Sequence, residues 1–185
     1  MTILITGSAG FIGYHVTKKI LNKNIKVIGI DNINNYYDIN LKKNRIKDLK
    51  KNKKFFFYKV DLLNYKKLDN IVKNKKIKII IHLAAQAGVR YSIKKPRIYF
   101  KSNLEGFFNI LEISRHNNIK HLVYASTSSV YGDTKKFPLS EINRTDQPLS
   151  FYAATKKSNE VMAHSYSYIY KLPCTGVRFF TVYGP

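Results

Sequence analysis

Short runs of β-branched and aromatic residues alternate along the chain with longer stretches in which apolar positions recur at helical spacing. The stretches predict helices at Phe11–Asn22, Asp38–Lys50, Tyr65–Lys73, Arg97–Asn117 and Phe151–Tyr170. The runs predict about six or seven strands, and six of them fall at Thr2–Thr6, Lys26–Ile30, Lys54–Lys59, Ile77–Leu83, His121–Ser126 and Thr175–Phe180. Strands that alternate with helices indicate βαβ units, so we predict an α/β fold with a doubly wound parallel sheet.

The length of 185 residues accommodates one domain, since domains average about 150 residues. We therefore assign residues 1–185 to a single domain. No apolar run reaches the ~18 residues of a membrane span, and the chain start lacks the basic segment of a signal peptide. We expect a soluble, cytoplasmic protein with no membrane partner, and the single Cys174 fits a reducing compartment.

The chain is strongly basic, with 33 Lys and Arg, 11 Asp and Glu and a formal net charge of +22. Such a charge is often a sign of nucleic-acid binding. Here the lysines are spread over every amphipathic segment and the few arginines are scattered, while the abundant residue types share A/T-rich codons. Base composition explains the charge, and we expect no nucleic-acid partner. The five histidines lack metal-ligand spacing near acids, so no metal site is predicted.

A glycine-rich turn, Gly7-Ser8-Ala9-Gly10-Phe11-Ile12-Gly13, follows the first predicted strand and opens the first predicted helix. This context is typical of dinucleotide-binding folds. Gly7 permits the tight turn, Gly10 lets the backbone approach a pyrophosphate, and Gly13 allows close packing of helix on sheet. The helix start at Phe11 and Ile12 offers N–H groups to the anion.

Asp31 directly follows the second predicted strand, 21 residues after Gly10. A carboxylate at this position accepts hydrogen bonds from an adenosine ribose and repels a 2′-phosphate, and Asn32 follows it instead of an arginine. We therefore predict NAD as the cofactor in preference to NADP. Asp61, which precedes Leu62 after the third strand, is a candidate for contact with the adenine amino group.

Tyr152 and Lys156 are four residues apart on a predicted helix, so their side chains share one face. The ammonium would lower the pKa of the tyrosine, which makes Tyr152 a candidate general base, and would hold the nicotinamide ribose. Three other tyrosines also have a lysine four residues later, namely Tyr14, Tyr91 and Tyr131. Only Tyr152 follows the hydroxyl-rich segment Tyr124–Gly132, which lies at the carboxyl end of the predicted sheet where ligands bind.

The glycine turn, the segment Tyr124–Gly132 and Tyr152-Ala153-Ala154-Thr155-Lys156 resemble an extended short-chain dehydrogenase/reductase of the nucleotide-sugar epimerase type. The resemblance covers essentially the whole chain, and it is closest to the UDP-glucuronate 4-epimerases of polysaccharide synthesis in the stretches Asp31–Tyr37, His82–Ser92 and Arg178–Pro185. It implies a NAD-binding Rossmann fold. It also implies that Thr127, four residues before the tyrosine of Val-Tyr-Gly, is catalytic together with Tyr152 and Lys156.

The resemblance further implies which residues contact the cofactor and the sugar. The nicotinamide half of NAD would be lined by Leu83, Ala84, Ala85, Asn103, Ser126 and Phe180. The sugar and its carboxylate would face Arg90, Ser128, Ser129 and Thr181. Related 4,6-dehydratases carry an Asp-Glu pair where this chain has Ser128-Ser129, and related decarboxylases typically carry Glu in place of Ser129. The residues therefore favour 4-epimerisation of UDP-glucuronate through a 4-keto sugar.

Family members continue beyond the Tyr-Gly-Pro at the end of this sequence, usually with Trp-Gly-Arg, into a smaller domain that binds the nucleotide. The expectation is that these 185 residues alone bind NAD weakly and do not epimerise. The expected partners are a UDP-sugar, a second copy that pairs through helices including that of Tyr152, and a C-terminal domain on a separate chain. The alternatives are an NAD-binding module without turnover, another nucleotide-sugar epimerase such as a UDP-glucose 4-epimerase, and a basic nucleic-acid binder.

Overall fold

Six parallel strands form one sheet in the computed structural model, which describes residues 1–185. Their order across the sheet is β3-β2-β1-β4-β5-β6. The first three strands therefore extend the sheet to one side of β1 and the last three extend it to the other, and the switch point lies between β1 and β4. The strands are β1 (Thr2–Thr6), β2 (Lys26–Asp31), β3 (Phe55–Lys59), β4 (Ile79–His82), β5 (His121–Thr127) and β6 (Cys174–Phe179). The predicted doubly wound α/β fold is confirmed.

Helices cover both faces of the sheet. They are α1 (Phe11–Asn22), α2 (Ile39–Leu49), α3 (Tyr65–Asn74), α4 (Val89–Lys94), α5 (Pro96–Tyr99), α6 (Gly106–His116) and α7 (Phe151–Tyr170). Ser150 caps α7 by accepting a hydrogen bond from the N–H of Ala153, as its place before the helix predicts. No helix in the structure combines the length and the apolar character needed to cross a bilayer.

The core has two layers because successive side chains of a strand point to opposite faces of the sheet. Ile3 and Ile5 of β1 pack in the layer under α1 and α2, which contains Leu21. Leu4 packs in the opposite layer, under α3 and α6, which contains Phe107. This burial on both faces explains why the inner strands are continuous apolar runs.

The predicted helix Arg97–Asn117 contains a turn of π-helix at Phe100–Glu105, between α5 and α6. Turns of this kind insert one extra residue, and they are frequent at functional sites. The predicted strand Ile77–Leu83 is also shorter in the structure, because the N–H of Ile77 donates to Val72 O at the end of α3, 3.2 Å away. Two short elements were not predicted, α4 and a 3₁₀ turn at Ser128–Tyr131.

Candidate active site

A cavity of about 390 Å³ opens at the carboxyl ends of β1, β2 and β4, where the strand order changes direction. Open parallel sheets bind ligands at such a switch point. Nine residues predicted from the sequence line it: Gly7, Gly10, Asp31, Asn32, Asp61, Leu62, Leu83, Ala84 and Ala85. The cavity therefore joins the glycine turn, the end of β2 and the loop after β4 in one site.

The glycine turn requires residues without side chains at two positions. Gly7 has a φ of +72°, and a Cβ there would lie 2.8 Å from the backbone nitrogen of Ala84. A Cβ on Gly13 would overlap the carbonyl oxygen of Gly7. Gly10 is the N-cap of α1 and offers no side-chain hydrogen bond, so the first-turn N–H groups, at Phe11 and Ile12, have no side-chain partner. These groups and the dipole of α1 favour an anion at the cavity.

Asp31 is only 8% exposed and is held in place by two backbone N–H groups. Its carboxylate accepts hydrogen bonds from Ile33 at 2.8 Å and from Ala9, in the glycine turn, at 3.2 Å. A carboxylate has about four acceptor sites, so two remain for a ligand at the cavity. Asn32 donates to the side chain of Asp61 at 2.8 Å, which fixes the second predicted acid at the same rim.

Thr127 and Tyr152 come together near the carboxyl end of β5. Thr127 is the last residue of β5, and its hydroxyl accepts a hydrogen bond from the N–H of Ser129 at 3.2 Å. Tyr152 lies in the first turn of α7, and its backbone N–H donates to the hydroxyl of Ser92 at 3.1 Å. Lys156, one turn later, is 1% exposed. The predicted catalytic residues thus occupy one region, and Lys156 lies beneath its surface.

The pKa values in this region follow from burial. Burial raises the pKa of Tyr152, and the neighbouring Thr127 hydroxyl only partly opposes that shift. Burial lowers the pKa of Lys156 to about 8. The sequence-based expectation that the ammonium lowers the pKa of Tyr152 is wrong for this structure, because Lys156 donates instead to the carbonyl of Ala125 at 2.9 Å. Burial and the charge of Lys156 lower the pKa of His82 to about 3, which leaves its ring neutral.

Two residues predicted to line the nicotinamide half use their polar atoms inside the protein. Asn103, in the π-helical turn, accepts from the N–H of Gln86 at 2.7 Å and donates to the carbonyl of Gln86 at 3.0 Å. It also donates to the hydroxyl of Thr155 on α7 at 3.2 Å. Ser126 donates to the carboxylate of Glu160 at 2.6 Å. In this structure both residues connect elements of the site rather than face the cavity.

The four residues predicted to contact the sugar are not brought together in the cavity. Ser128 and Ser129 lie in the 3₁₀ turn after Thr127 and are partly buried. Arg90 is exposed on α4, and Thr181 is exposed beyond β6. Phe180, predicted to contact the nicotinamide, is likewise 59% exposed.

The structure adds residues that sequence reasoning missed. The hydroxyl oxygen of Tyr99 lies 2.6 Å from the carbonyl oxygens of both Ala87 and Gly88, which share its one proton, and its ring meets that of Tyr152 edge-on with the ring centres 6.1 Å apart. Lys42 lines the cavity although it is one of 27 lysines with no distinguishing neighbour in the sequence. Tyr99 is distinguished by its contact with Tyr152 on another helix and Lys42 by its burial, and neither property is visible in the sequence. No group of three or more His, Cys, Asp or Glu side chains is arranged to hold a metal ion.

A Rossmann fold with a glycine turn at its switch point and a Thr-Tyr-Lys set at the end of β5 defines an extended short-chain dehydrogenase/reductase. The chain belongs to the family described as GDP-mannose 4,6 dehydratase, whose family model matches residues 4–185. That description names the family as a whole and does not fix which reaction a member catalyses.

The chain is similar to two curated relatives and to one solved structure, and in each case it spans little more than half of the other protein's length. It is 56% identical over 185 residues to Protein CapI of Staphylococcus aureus and 48% identical over 185 residues to a probable UDP-glucuronate 4-epimerase of Rhizobium meliloti. The whole chain aligns in both, but it spans only 55% and 54% of their lengths. A crystal structure of UDP-glucuronic acid 4-epimerase from Bacillus cereus, in complex with UDP-glucuronic acid and NAD, superimposes with a TM-score of 0.93 at 37% identity, over 100% of this chain and 58% of that one.

Proposed function

We propose that the chain supplies the NAD-binding and proton-transfer part of a nucleotide-sugar 4-epimerase that converts UDP-glucuronate to UDP-galacturonate. The observation that carries the proposal is the meeting of Thr127 with Tyr152 near the end of β5, on the sheet edge that also forms the glycine-lined cavity. Relatives and a solved structure named as UDP-glucuronate 4-epimerases support the choice of substrate.

The residues of the cavity fit NAD. The uncapped start of α1 suits the pyrophosphate, and the two free acceptor sites of Asp31 suit the hydroxyls of the adenosine ribose. NAD held there would supply the hydride acceptor and donor that epimerisation at C4 requires. Gly7 and Gly10 leave the floor of the cavity open for the dinucleotide backbone.

Tyr152 is the proposed base for the 4-hydroxyl proton, and Thr127 orients that hydroxyl. The Thr127 hydroxyl is held in turn by the N–H of Ser129, so its position is fixed before a sugar arrives. Lys156 is held by the carbonyl of Ala125 one helical turn after Tyr152, and its proposed role is to hold the nicotinamide ribose. Ser128 and Ser129 offer no carboxylate, which supports epimerisation over dehydration.

We expect the chain to bind NAD at least tenfold more tightly than NADP, which corresponds to about 1.4 kcal/mol. The buried carboxylate of Asp31 would meet the extra phosphate directly and repel it. Isothermal titration calorimetry with both dinucleotides measures the ratio. Equal affinities, or tighter binding of NADP, would remove Asp31 from the proposed role.

We also propose that the chain forms a dimer with a second copy of itself through α7 and the helical segment beside it. α7 exposes Val161 and Tyr168, seven residues apart on one helix face, and the neighbouring helical segment exposes Phe100 and Phe108. Exposed apolar side chains on two adjacent helices favour burial against another protein surface. The resemblance to dimeric family members points to the same helices.

The second proposed partner is a separate chain that corresponds to the remaining half of the relatives' length. It would provide further contacts to the UDP-sugar.

We expect Val161→Glu to convert the dimer to a monomer at micromolar concentration, because it places a charge in an apolar contact. Sedimentation velocity measures the state, and Leu41→Glu on exposed α2 is the matched control. A wild-type chain that sediments as a monomer, or a variant that remains dimeric, would exclude this surface.

A further inference from the structure

The backbone of Tyr152 is held by a serine that lies 60 residues earlier in the chain. Ser92, on α4, is fully buried, and its hydroxyl accepts a hydrogen bond from the N–H of Tyr152 at 3.1 Å. The same hydroxyl donates to the carbonyl of Val89 at 2.6 Å, so its one proton and one of its acceptor sites are used. Ser92 therefore connects the start of α7 to the start of α4.

The contact with Ser92 differs from an ordinary helix cap. The first N–H groups of a helix have no partner inside the helix, and a side chain next to the helix usually accepts from one of them. Ser150 does so at α7, since it directly precedes the helix and accepts from the N–H of Ala153 at 3.1 Å. The N–H of Tyr152 is the one in this turn that a distant segment engages, and it belongs to the proposed base.

The ring of Tyr152 is supported by a second buried residue. Tyr99, on α5, is fully buried, and its ring meets that of Tyr152 edge-on. The hydroxyl of Tyr99 is engaged by the carbonyls of Ala87 and Gly88. Burial raises the pKa of Tyr99 to about 12, so its phenol stays protonated and serves as a donor to these carbonyls.

Both supports are anchored in the loop that follows β4. The loop Ala87–Val89 supplies the carbonyls that engage the hydroxyls of Ser92 and Tyr99. Its course depends on Gly88, whose φ of +99° is rarely adopted by a residue with a side chain. Ala87 and the residues just before it line the cavity proposed to hold NAD. The loop therefore lies between the cofactor cavity and the proposed base.

We propose that Ser92 is a positioning residue for Tyr152, and that Tyr99 assists it by supporting the ring. Proton transfer requires the phenol oxygen of Tyr152 to lie within hydrogen-bond distance of the 4-hydroxyl, and a displacement of 1 Å can lower a rate by about 10²-fold. Thr127 belongs to β5 and Tyr152 to α7, so their relative position depends on how the start of α7 is held. This inference rests on the proposed function, in which Tyr152 is the base.

The test compares turnover of UDP-glucuronate by Ser92→Ala and by the wild type, each with a protein segment that corresponds to the remaining half of the relatives. We expect kcat to fall by about tenfold to hundredfold, while KM and the affinity for NAD change by less than about threefold. Ser92→Cys should restore part of kcat, because a thiol is a weak donor and a weak acceptor. Tyr99→Phe keeps the ring and should lower kcat by less than Ser92→Ala does.

Two further variants separate positioning from a general loss of structure. Ser114→Ala is the matched control, since Ser114 is also fully buried and donates to a carbonyl of its own helix, that of Ile110, at 2.6 Å. It should lower the thermal stability and leave kcat unchanged. The double variant Ser92→Ala/Tyr152→Phe should be no slower than Tyr152→Phe alone, because a residue that acts through the base has no effect once the base is removed.

The outcomes separate this inference from the proposed function. A wild type that does not epimerise, or a Tyr152→Phe variant with normal turnover, contradicts the proposed function itself. A slow Tyr152→Phe variant together with a normal kcat for Ser92→Ala contradicts only the positioning role. A double variant that is slower than Tyr152→Phe by the full factor of Ser92→Ala also overturns that role. Thermal denaturation monitors folding. If Ser92→Ala does not fold, Ser92→Cys and Tyr99→Phe replace it, and a normal kcat in both overturns the inference.

Discussion

Replacing Tyr152 with phenylalanine lowers the rate of epimerisation by a factor of about 10²–10⁴, because it deletes the proposed proton-transfer group. The ring is retained, so its edge-on contact with Tyr99 at 6.1 Å and the start of α7 are preserved. Affinity for NAD should therefore change by less than about threefold. Turnover of UDP-glucuronate is measured in the presence of a protein segment that corresponds to the remaining half of the relatives. This segment is either fused to this chain or added as a separate chain.

The controls for this prediction come from the chain itself. Tyr131→Phe alters another tyrosine with a lysine four residues later, and it should leave the rate within about threefold of wild type. Thr127→Val should lower the rate, but by less than Tyr152→Phe, since Thr127 orients the hydroxyl and does not carry its proton away. Near-normal turnover by Tyr152→Phe would mean that the base lies elsewhere.

The fold was accessible from the sequence because its signals are local. Each strand of the sheet is a short apolar run, and each long helix has an apolar face of its own, so the βαβ order can be read without knowing any tertiary contact. The glycine turn was equally accessible, because Gly7 and Gly13 are required by backbone overlaps within a few residues or with the next strand of the sheet. Asp31 followed from its place at the end of β2.

The features that could not be predicted depend on burial and on side-chain contacts that form only in the folded chain. Asn103 connects Gln86 to Thr155 because a π-helical turn directs its side chain, and that turn has no signature in an otherwise regular helical pattern. Lys42 was hidden among 27 lysines, and only burial beside Tyr37 distinguishes it. The pKa relation between Tyr152 and Lys156 was mispredicted because helical spacing places side chains on one face but does not say which acceptor an ammonium will choose.

Glu160 is a further residue of this kind, and it joins three elements that carry the site. Arg178 of β6 donates to both of its carboxylate oxygens, each at 2.9 Å, and Ser126 of β5 donates to it at 2.6 Å. Glu160 lies one turn after Lys156 on α7. The network therefore fixes α7 against the end of β5, where Ser126 immediately precedes Thr127. Positions of the proposed base and of its partner hydroxyl depend on this junction.

Replacing Glu160 with glutamine should lower the free energy of unfolding at neutral pH by about 2–3 kcal/mol, because it leaves the guanidinium of Arg178 partly buried without its counter-charge. Urea denaturation measures the loss, and Glu105→Gln, at an exposed helical position, is the control that should change stability by less than about 0.5 kcal/mol. Arg178→Lys should fall between the two, since an ammonium keeps the charge but cannot pair with both oxygens.

The loss of stability caused by Glu160→Gln should depend on pH. Burial raises the pKa of Glu160, but the hydrogen bonds from Arg178 and Ser126 outweigh burial, so the pKa lies below its ordinary value of 4.5. A carboxyl whose pKa is lowered by folding stabilises the native state above its unfolded pKa, and that contribution is lost as the pH falls through the folded pKa. The stability difference between wild type and Glu160→Gln should therefore be constant at neutral pH and shrink in acid, below about pH 4.5. A difference that persists unchanged to pH 2 would show that packing of the side chain, and not its charge, holds α7 against β5 and β6.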